Sequence, residues 1–257
     1  MSHIKQIKPS TIKRALRLHQ EWVEYNECND PEMPEGREIV LTNEIIQKIN
    51  FINCNLFVNA DLQNLNASSL DFSKKKFLKT NFYGANFEGA NFENSNFEGI
   101  LASYADFSNT NFRYANFKNT QFENSSFLYA CFTGALFNNA IFENTIFKNA
   151  SFDSAVFKYS LFIDVDFSNA NFEGVLLRHV LTEGIQGFQV VSCQLNSSEP
   201  NRIVQYWPAI DVVTSGCFSG TLKELKDEIK RTHKNNPEIR KKYNLVLEYI
   251  ENMVKLG

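Results

Sequence analysis

Hydrophobic residues recur at every fifth position over a long central stretch of the chain. Between Leu62 and Leu177 this spacing marks 24 positions, and Phe occupies 20 of them. The residue two places before each of these central positions is usually Ala, Ser or Thr, and the residue directly before it is often Asn or Asp. A period of five fits neither an α-helix nor a β-strand, so the pattern predicts a solenoid made of short repeats.

The physical solution is a chain that turns a corner every five residues and closes a square coil every twenty. The Phe and the small residue then point into the coil, and the other three residues point to solvent. Coils stack at the inter-strand spacing of about 4.8 Å, so six coils should form a rod of about 29 Å. Burial of each Phe contributes about 1.5–3 kcal/mol before chain entropy is subtracted, which makes this stretch the structural core.

The clearest run of the pattern is Y-G-A-N-F-E-G-A-N-F-E-N-S-N-F-E-G, at residues 83–99. Its A-[DN]-F-x-x motif closely resembles the pentapeptide-repeat family, over about half of the chain. The resemblance implies a right-handed quadrilateral β-helix. It implies no particular activity, because members of one fold family need not share one chemistry.

A helix is predicted before the repeats. Ile12, Leu16 and Val23 recur at helical spacing, and the segment with His19 and Trp22 resembles the short helix that often precedes pentapeptide repeats. We interpret residues 1–44 as a helical cap with a polar loop, because the first coil has an open hydrophobic end. Ligand binding by His19 and Trp22 is the alternative.

The β-helix is predicted over residues 45–184, with one inserted residue near 58–59. Residues 185–257 stop repeating and predict a small C-terminal α+β module, with short strands at Phe188–Cys193 and Ile210–Val213 and an anchor at Trp207. Two helices follow, one behind a capping box of Thr221 and Glu224 and one that starts at Pro237. The expected fold is therefore mainly β, with a cap at each end.

Two positions inside the repeats break the pattern. Lys75 falls on an inward position within a cluster of four lysines, so either its side chain reaches solvent or the coil bulges. The cluster (Lys74–Lys76 and Lys79) is a solvated corner or, alternatively, a phosphate site. Ala102 replaces Phe at a central position, and we expect Ile100 to refill that space.

An outward apolar surface is predicted from about Cys131 onward, where the residue before the centre becomes aliphatic. Positions twenty apart share a face, so two neighbouring faces should each carry an apolar column. A contiguous apolar patch is normally covered, here by the C-terminal module or by a second subunit. The candidate interaction face comprises Leu136, Val156 and Leu176 on one side and Ile141, Leu161 and Leu181 on the other, with Tyr159 between them.

The sequence offers little catalytic chemistry. Cys217 precedes a helix that ends near His233, about 18 Å further along at 1.5 Å per residue, so His233 is a poor base for it. A zinc site formed by Cys193, Cys217 and His233 is a second alternative. We therefore predict no catalytic residue, no metal and no cofactor.

Composition limits the classes of partner. The 257-residue chain has a net charge of −3 and no apolar run of membrane-spanning length, so neither a membrane span nor a nucleic-acid surface is expected. Five widely spaced cysteines suggest free thiols in a reducing cytoplasm.

The resulting hypothesis is a non-enzymatic interaction or scaffold protein whose protein partner is unknown and which forms a homodimer. The alternative is a DNA-like rod that binds DNA gyrase or topoisomerase IV and protects it from quinolones, as some members of the pentapeptide-repeat family, which the sequence resembles, do. That function would need strongly acidic faces, and the repeats carry a net charge of only about −4 over residues 60–184.

Overall fold

The structure, a computed structural model, describes residues 62–195, 202–216 and 218–256. From Leu62 the chain winds into a β-helix in which each coil pairs in parallel with the residues twenty positions further on. On one face the bridges step from Asn66 to Asn86 and onward in twenties to Gln186. Further columns start at Asp71, Lys76 and Asn81, so the coil has four faces, as predicted. The right-handed sense of winding stays a prediction.

The corners explain the polar positions of the repeat. The residue two places after each centre has a positive φ, for example 57° at Asn109 and 63° at Gly84, and Asn and Gly tolerate this region best. The Asn or Asp before the centre closes the turn with its side chain. Asn86 Oδ1 accepts a hydrogen bond of 2.9 Å from the Glu88 N–H, and Asp106 accepts one of 2.9 Å from the Ser108 N–H.

Two neighbouring faces contain regular three-residue strands, where the residue before the centre is aliphatic or Gln. We call the face with three strands the first face and the face with five strands the second face. The first face is formed by β3 (Leu136–Asn138), β5 (Val156–Lys158) and β7 (Leu176–Arg178). The second face is formed by β1 (Leu101–Ser103), β2 (Gln121–Glu123), β4 (Ile141–Glu143), β6 (Leu161–Ile163) and β8 (Leu181–Glu183).

Stacked phenylalanine rings fill the interior of the β-helix. Rings of one face lie nearly parallel, with centroids 4.5 Å apart for Phe137 and Phe157 and 5.4 Å apart for Phe122 and Phe142. Rings of neighbouring faces meet edge to face, as Phe132 and Phe137 do at 5.4 Å. Such pairs add about 0.5–1.5 kcal/mol each beyond area burial, so the predicted core is confirmed in both position and residue type.

Both irregular positions keep the coil intact. Lys75 is half-buried, and its carbonyl oxygen still accepts a 2.9 Å hydrogen bond from the Asn96 N–H, so the ladder has no bulge there. Ile100 and Ala102 are both fully buried in the core. This agrees with the prediction that the larger inward residue fills the space of the missing Phe.

The C-terminal module is an antiparallel sheet with two helices. Its four strands lie in the order β12, β11, β10, β9. The elements are β9 (Val191–Leu195), β10 (Arg202–Trp207), a 3₁₀ helix (Pro208–Ile210), β11 (Val212–Ser215), β12 (Phe218–Gly220), α1 (Leu222–Thr232) and α2 (Pro237–Leu256). The predicted strands are therefore displaced by two or three residues, and the predicted start at Ile210 is wrong because that residue ends the 3₁₀ helix.

The helices form as expected. Thr221 and Glu224 make a reciprocal capping box, in which the Glu224 N–H donates to Thr221 Oγ1 at 3.1 Å. Tyr243, Val246 and Ile250 bury the inner face of α2 in the core of the module. The inner face of the last helix is therefore an apolar stripe.

Trp207 joins the module to the end of the β-helix. Its side chain is fully buried, 6.2 Å from the ring of Phe172 and 6.3 Å from that of Phe188. Gln205 Nε2 adds a 2.8 Å hydrogen bond to Thr182 Oγ1 of the last coil. The module therefore closes the C-terminal end of the rod. The predicted N-terminal cap and the insertion near 58–59 lie outside the described residues.

Candidate functional site

The structure brings the predicted apolar residues together as two columns. Leu136 pairs with Val156 and Val156 with Leu176 across β3, β5 and β7. Ile141 pairs with Leu161 and Leu161 with Leu181 across β4, β6 and β8. The two columns lie on adjoining faces, on either side of the corner that carries Tyr159. We call these seven residues the corner surface.

Much of the corner surface is open to solvent. Leu136 is 41% exposed, Leu181 44% and Tyr159 61%, whereas the other four members are half-buried. Leu101, in the same register column as Leu181, is 62% exposed. Among the described residues, β11 and β12 of the C-terminal module approach the first face at β7, the strand that carries Leu176.

Aromatic stacking stiffens the corner between the two faces. The ring of Tyr159 lies parallel to the imidazole of His179 in the next coil, with centroids 4.5 Å apart. Tyr159 occupies a left-handed conformation with φ of 57°, which a bulky residue adopts at a cost of about 1–2 kcal/mol. A large ring is therefore kept on the surface at a position where Asn or Gly would be easier to accommodate.

Charged residues flank the two apolar columns with opposite signs. On the first face the residues after the centre include Lys158 and Arg178. On the second face the corresponding column reads Glu143, Ile163 and Glu183. The sequence reasoning overlooked these flanks, although the repeat register alone places them beside the apolar positions.

The coils before the corner surface carry polar ladders instead. Asn111 Nδ2 donates to Asn91 Oδ1 at 2.9 Å, and Asn116 Nδ2 donates to Asn96 Oδ1 at 3.0 Å. Leu136 continues the second of these ladders directly, since it pairs with Asn116. The first face therefore changes from amide ladder to aliphatic column between two successive coils.

The other candidate residues do not converge on a site. Lys74, Lys76 and Lys79 are exposed at the N-terminal end of the described coil, in agreement with a solvated corner. Burial raises the pKa of the Cys193 thiol, which disfavours the reactive thiolate. Across the three described ranges, no three His, Cys, Asp or Glu side chains lie close enough together to hold a metal ion.

Three residues considered from the sequence, His19, Trp22 and Cys217, lie outside the described residues. The catalytic and zinc-binding alternatives that involve Cys217 therefore stay untested. His233 is half-buried and stacks on Tyr243, with ring centroids 5.3 Å apart. Neither helix in the described part of the chain has the length and hydropathy needed to cross a lipid bilayer.

Comparison with known families decides the identity of the coil. A family model described as pentapeptide repeats in eight copies matches residues 57–99 and 90–127, and a second, in nine copies, matches residues 137–181. The chain belongs to the pentapeptide-repeat family. These matches agree with the four-faced β-helix, in which every fifth residue is the buried centre of a repeat.

Solved structures of pentapeptide-repeat proteins match part of the chain at low identity. A pentapeptide repeat protein from the Arabidopsis thaliana thylakoid lumen is 22% identical, with 39% of this chain and 71% of that chain covered and a TM-score of 0.38. QnrB1, a plasmid-mediated fluoroquinolone resistance protein, is 18% identical, with coverages of 53% and 80% and a TM-score of 0.41. Rfr23, from the cyanobacterium Cyanothece 51142, is 16% identical, with coverages of 50% and 88% and a TM-score of 0.24. No curated protein matches the chain significantly.

Proposed function

We propose that this pentapeptide-repeat protein is a non-enzymatic interaction or scaffold protein that associates with a second copy of itself through the corner surface. The observation that carries the proposal is the pair of aliphatic columns on adjoining faces, in which Leu136 and Leu181 are exposed and the other four residues are half-buried. Because contiguous apolar patches on soluble proteins mark contact sites, these columns are the strongest candidate on the described surface. We place the function in the cytoplasm, where free thiols such as Cys131 and Cys193 persist.

The size of the patch determines how a dimer must use it. The three coils that carry the aliphatic columns span only about 10 Å along the rod. A stable interface buries about 800 Å² per partner, which this patch alone does not supply. The flanking polar positions of the same face must therefore join the contact, with the aliphatic column at its centre and the charged residues at its rim.

The rod geometry also restricts the arrangement. The two faces meet at a convex corner, so a flat partner contacts one face fully and the other only at its edge. Consider a two-fold axis that lies in the plane of the contact, perpendicular to the rod and level with β6. Leu161 and Ile163 of one copy would then face the same residues of the second copy. Ile141 would then oppose Leu181, and both would be buried. We take the second face as the main contact, although the same axis opposes the like charges of Glu143 and Glu183 at its rim.

The charge pattern does not favour the topoisomerase alternative. A surrogate for duplex DNA presents negative charge along its length, whereas Lys118, Lys158 and Arg178 follow one column of the first face. Binding to a topoisomerase thus remains an alternative hypothesis for this chain.

Molar mass in solution tests the proposal. The full chain and the single variants Leu136→Asp and Leu161→Asp are compared by multi-angle light scattering over a range of concentrations. Ser151→Asp is the matched control, since it places the same charge at the same repeat position on the face opposite β6. Asp is compatible with this repeat position, because Asp71, Asp106 and Asp166 occupy it in the native chain.

The expected result is a dimer for the full chain and for Ser151→Asp, and a monomer for Leu161→Asp. A smaller loss of dimer for Leu136→Asp would make the second face the main contact, and the reverse order would assign it to the first face. A monomeric full chain at all concentrations, with normal circular dichroism, would refute self-association.

A further inference from the structure

A cleft in the C-terminal module lies apart from the corner surface. It has a volume of about 320 Å³ and opens between α1, the start of α2 and the β11–β12 edge of the sheet. Its walls include Phe218, Leu225 and Ile229, together with Tyr243 and His233. This volume lies at the lower end of the range for small-molecule sites, and the lining combines these groups with the polar side chains of Ser215, Glu228 and Thr232.

Ser215, which also lines the cleft, has an unsatisfied hydroxyl group. The residue is only 4% exposed, and its Oγ has no hydrogen-bond partner. A buried hydroxyl without a partner destabilises the folded state, so such groups are uncommon in native proteins. Because one rotation about χ1 redirects a serine hydroxyl, Ser215 can meet a polar group that enters the cleft.

Aromatic groups form one side of the cleft. The rings of His233 and Tyr243 are stacked at 22° to each other, and the benzyl group of Phe218 lies half-buried in the same lining. Flat aromatic ligands pack well against such rings through offset or edge-on contacts. The buried side chains of Leu225 and Ile229 complete an apolar base.

The charges at the cleft are already compensated. Glu228 is the acidic residue of the lining, and its carboxylate accepts hydrogen bonds from Arg231 Nη2 at 2.7 Å and from Thr232 Oγ1 at 2.6 Å. A cationic ligand would have to displace these partners. The arrangement therefore favours an uncharged ligand over an amine.

We propose that this cleft binds an uncharged aromatic ring that carries a hydroxyl group. The ring packs against Phe218, Tyr243 and the apolar base, and the hydroxyl pairs with Ser215. The ring can belong to a free phenolic compound or to a tyrosine side chain, since both present the same group. The inference is independent of self-association through the corner surface.

Titrations of the ¹⁵N-labelled full chain with phenol and with toluene test this inference. The two probes differ chiefly in the hydroxyl, and one net hydrogen bond should make phenol bind about 3- to 10-fold more tightly. Backbone shifts are expected at β11, β12 and α1. Ser215→Ala should reduce the preference for phenol to about one, whereas Ser219→Ala, which lies outside this lining, should keep it.

A blocking variant keeps the test decisive if Ser215→Ala perturbs the fold. Thr232 is exposed, so Thr232→Trp should fill the mouth of the cleft without disturbing the core and should abolish the shifts with both probes. Tighter binding of N-acetyl-tyrosinamide than of phenol would identify a peptide side chain as the source of the ring, and weaker binding would identify a free phenol. Absence of binding, or an undiminished phenol preference in Ser215→Ala, would overturn the proposal.

Discussion

Replacing Phe137 by Ala removes a ring from the middle of the stacked core. Phe137 is fully buried and lies between Phe117 and Phe157, with centroid distances of 4.9 Å and 4.5 Å. A Phe→Ala change in a core costs about 3–5 kcal/mol, and the rigid coil leaves little scope for collapse. The native chain already has Ala in place of Phe at one central position, Ala102. There the residue two positions earlier is Ile100 rather than a small residue, and it fills the space.

The same compensation can be transferred to the neighbouring inward position. Ala135 lies two residues before Phe137, as Ile100 lies two residues before Ala102, and Ala135 is fully buried. Ala135→Ile alone should overpack the core and cost about 1–3 kcal/mol. In the Phe137→Ala background its three additional carbons should recover about 2 kcal/mol, at about 0.8 kcal/mol per buried group.

Urea unfolding of the four proteins, followed by circular dichroism, measures this cycle. Ala135→Ile should lower the unfolding free energy of the wild type and raise that of Phe137→Ala. If Ala135→Ile destabilised both backgrounds by the same amount, the two inward positions would not share one space. The Ile100 and Ala102 pair would then need another explanation.

Three further predictions concern the cap, the pH response and the corners. Trp207→Ala should lower stability by about 3–5 kcal/mol and expose Phe172, detected as increased binding of an apolar dye; unchanged stability would show that the module does not hold the coil end. Burial, together with the hydrogen bond to Asp211, raises the pKa of Tyr206 from 10 to about 12. The stability that this group contributes is therefore present below pH 10 and lost as the pH rises to 12. The urea midpoint of Tyr206→Phe should fall less over this pH range than that of the wild type. Asn109→Val should cost about 1–2 kcal/mol at its φ of 57°, whereas Asn109→Gly should be nearly neutral by thermal unfolding.

The sequence was sufficient to predict the β-helix because the residues within each repeat determine its local conformation. Phe at every fifth residue specifies the core, Asn before it closes the turn, and Asn or Gly after it allows the corner. Even the exception at Ala102 could be interpreted, since its compensating residue, Ile100, lies only two positions away. The confirmed capping box of Thr221 and Glu224 is likewise a local signal.

The C-terminal module was less predictable because its order is set by long-range pairing. β10 pairs with β9 on one side and with β11 on the other, so its edges follow from partners that the local pattern does not reveal. The 3₁₀ helix then displaced the strand expected at Ile210. The cleft at Ser215 was not predictable either, since it arises only when α1 and α2 pack beside the sheet.

The corner surface shows how a stack of coils, rather than one residue, controls both shape and chemistry. On the two faces with strands, a run of large residues before the centre goes with extended backbone, as at Leu136, Val156 and Leu176. On the face of Asn66, the aliphatic Ile146 keeps the tight turn instead, because it pairs between Ser126 and Asp166. The single aliphatic residue at Ile146 thus leaves the turn unchanged, whereas the runs of large residues on the other two faces go with a flat surface. Flatness and apolar character thus arise together, and both are what a second rod would need in order to pack against this one.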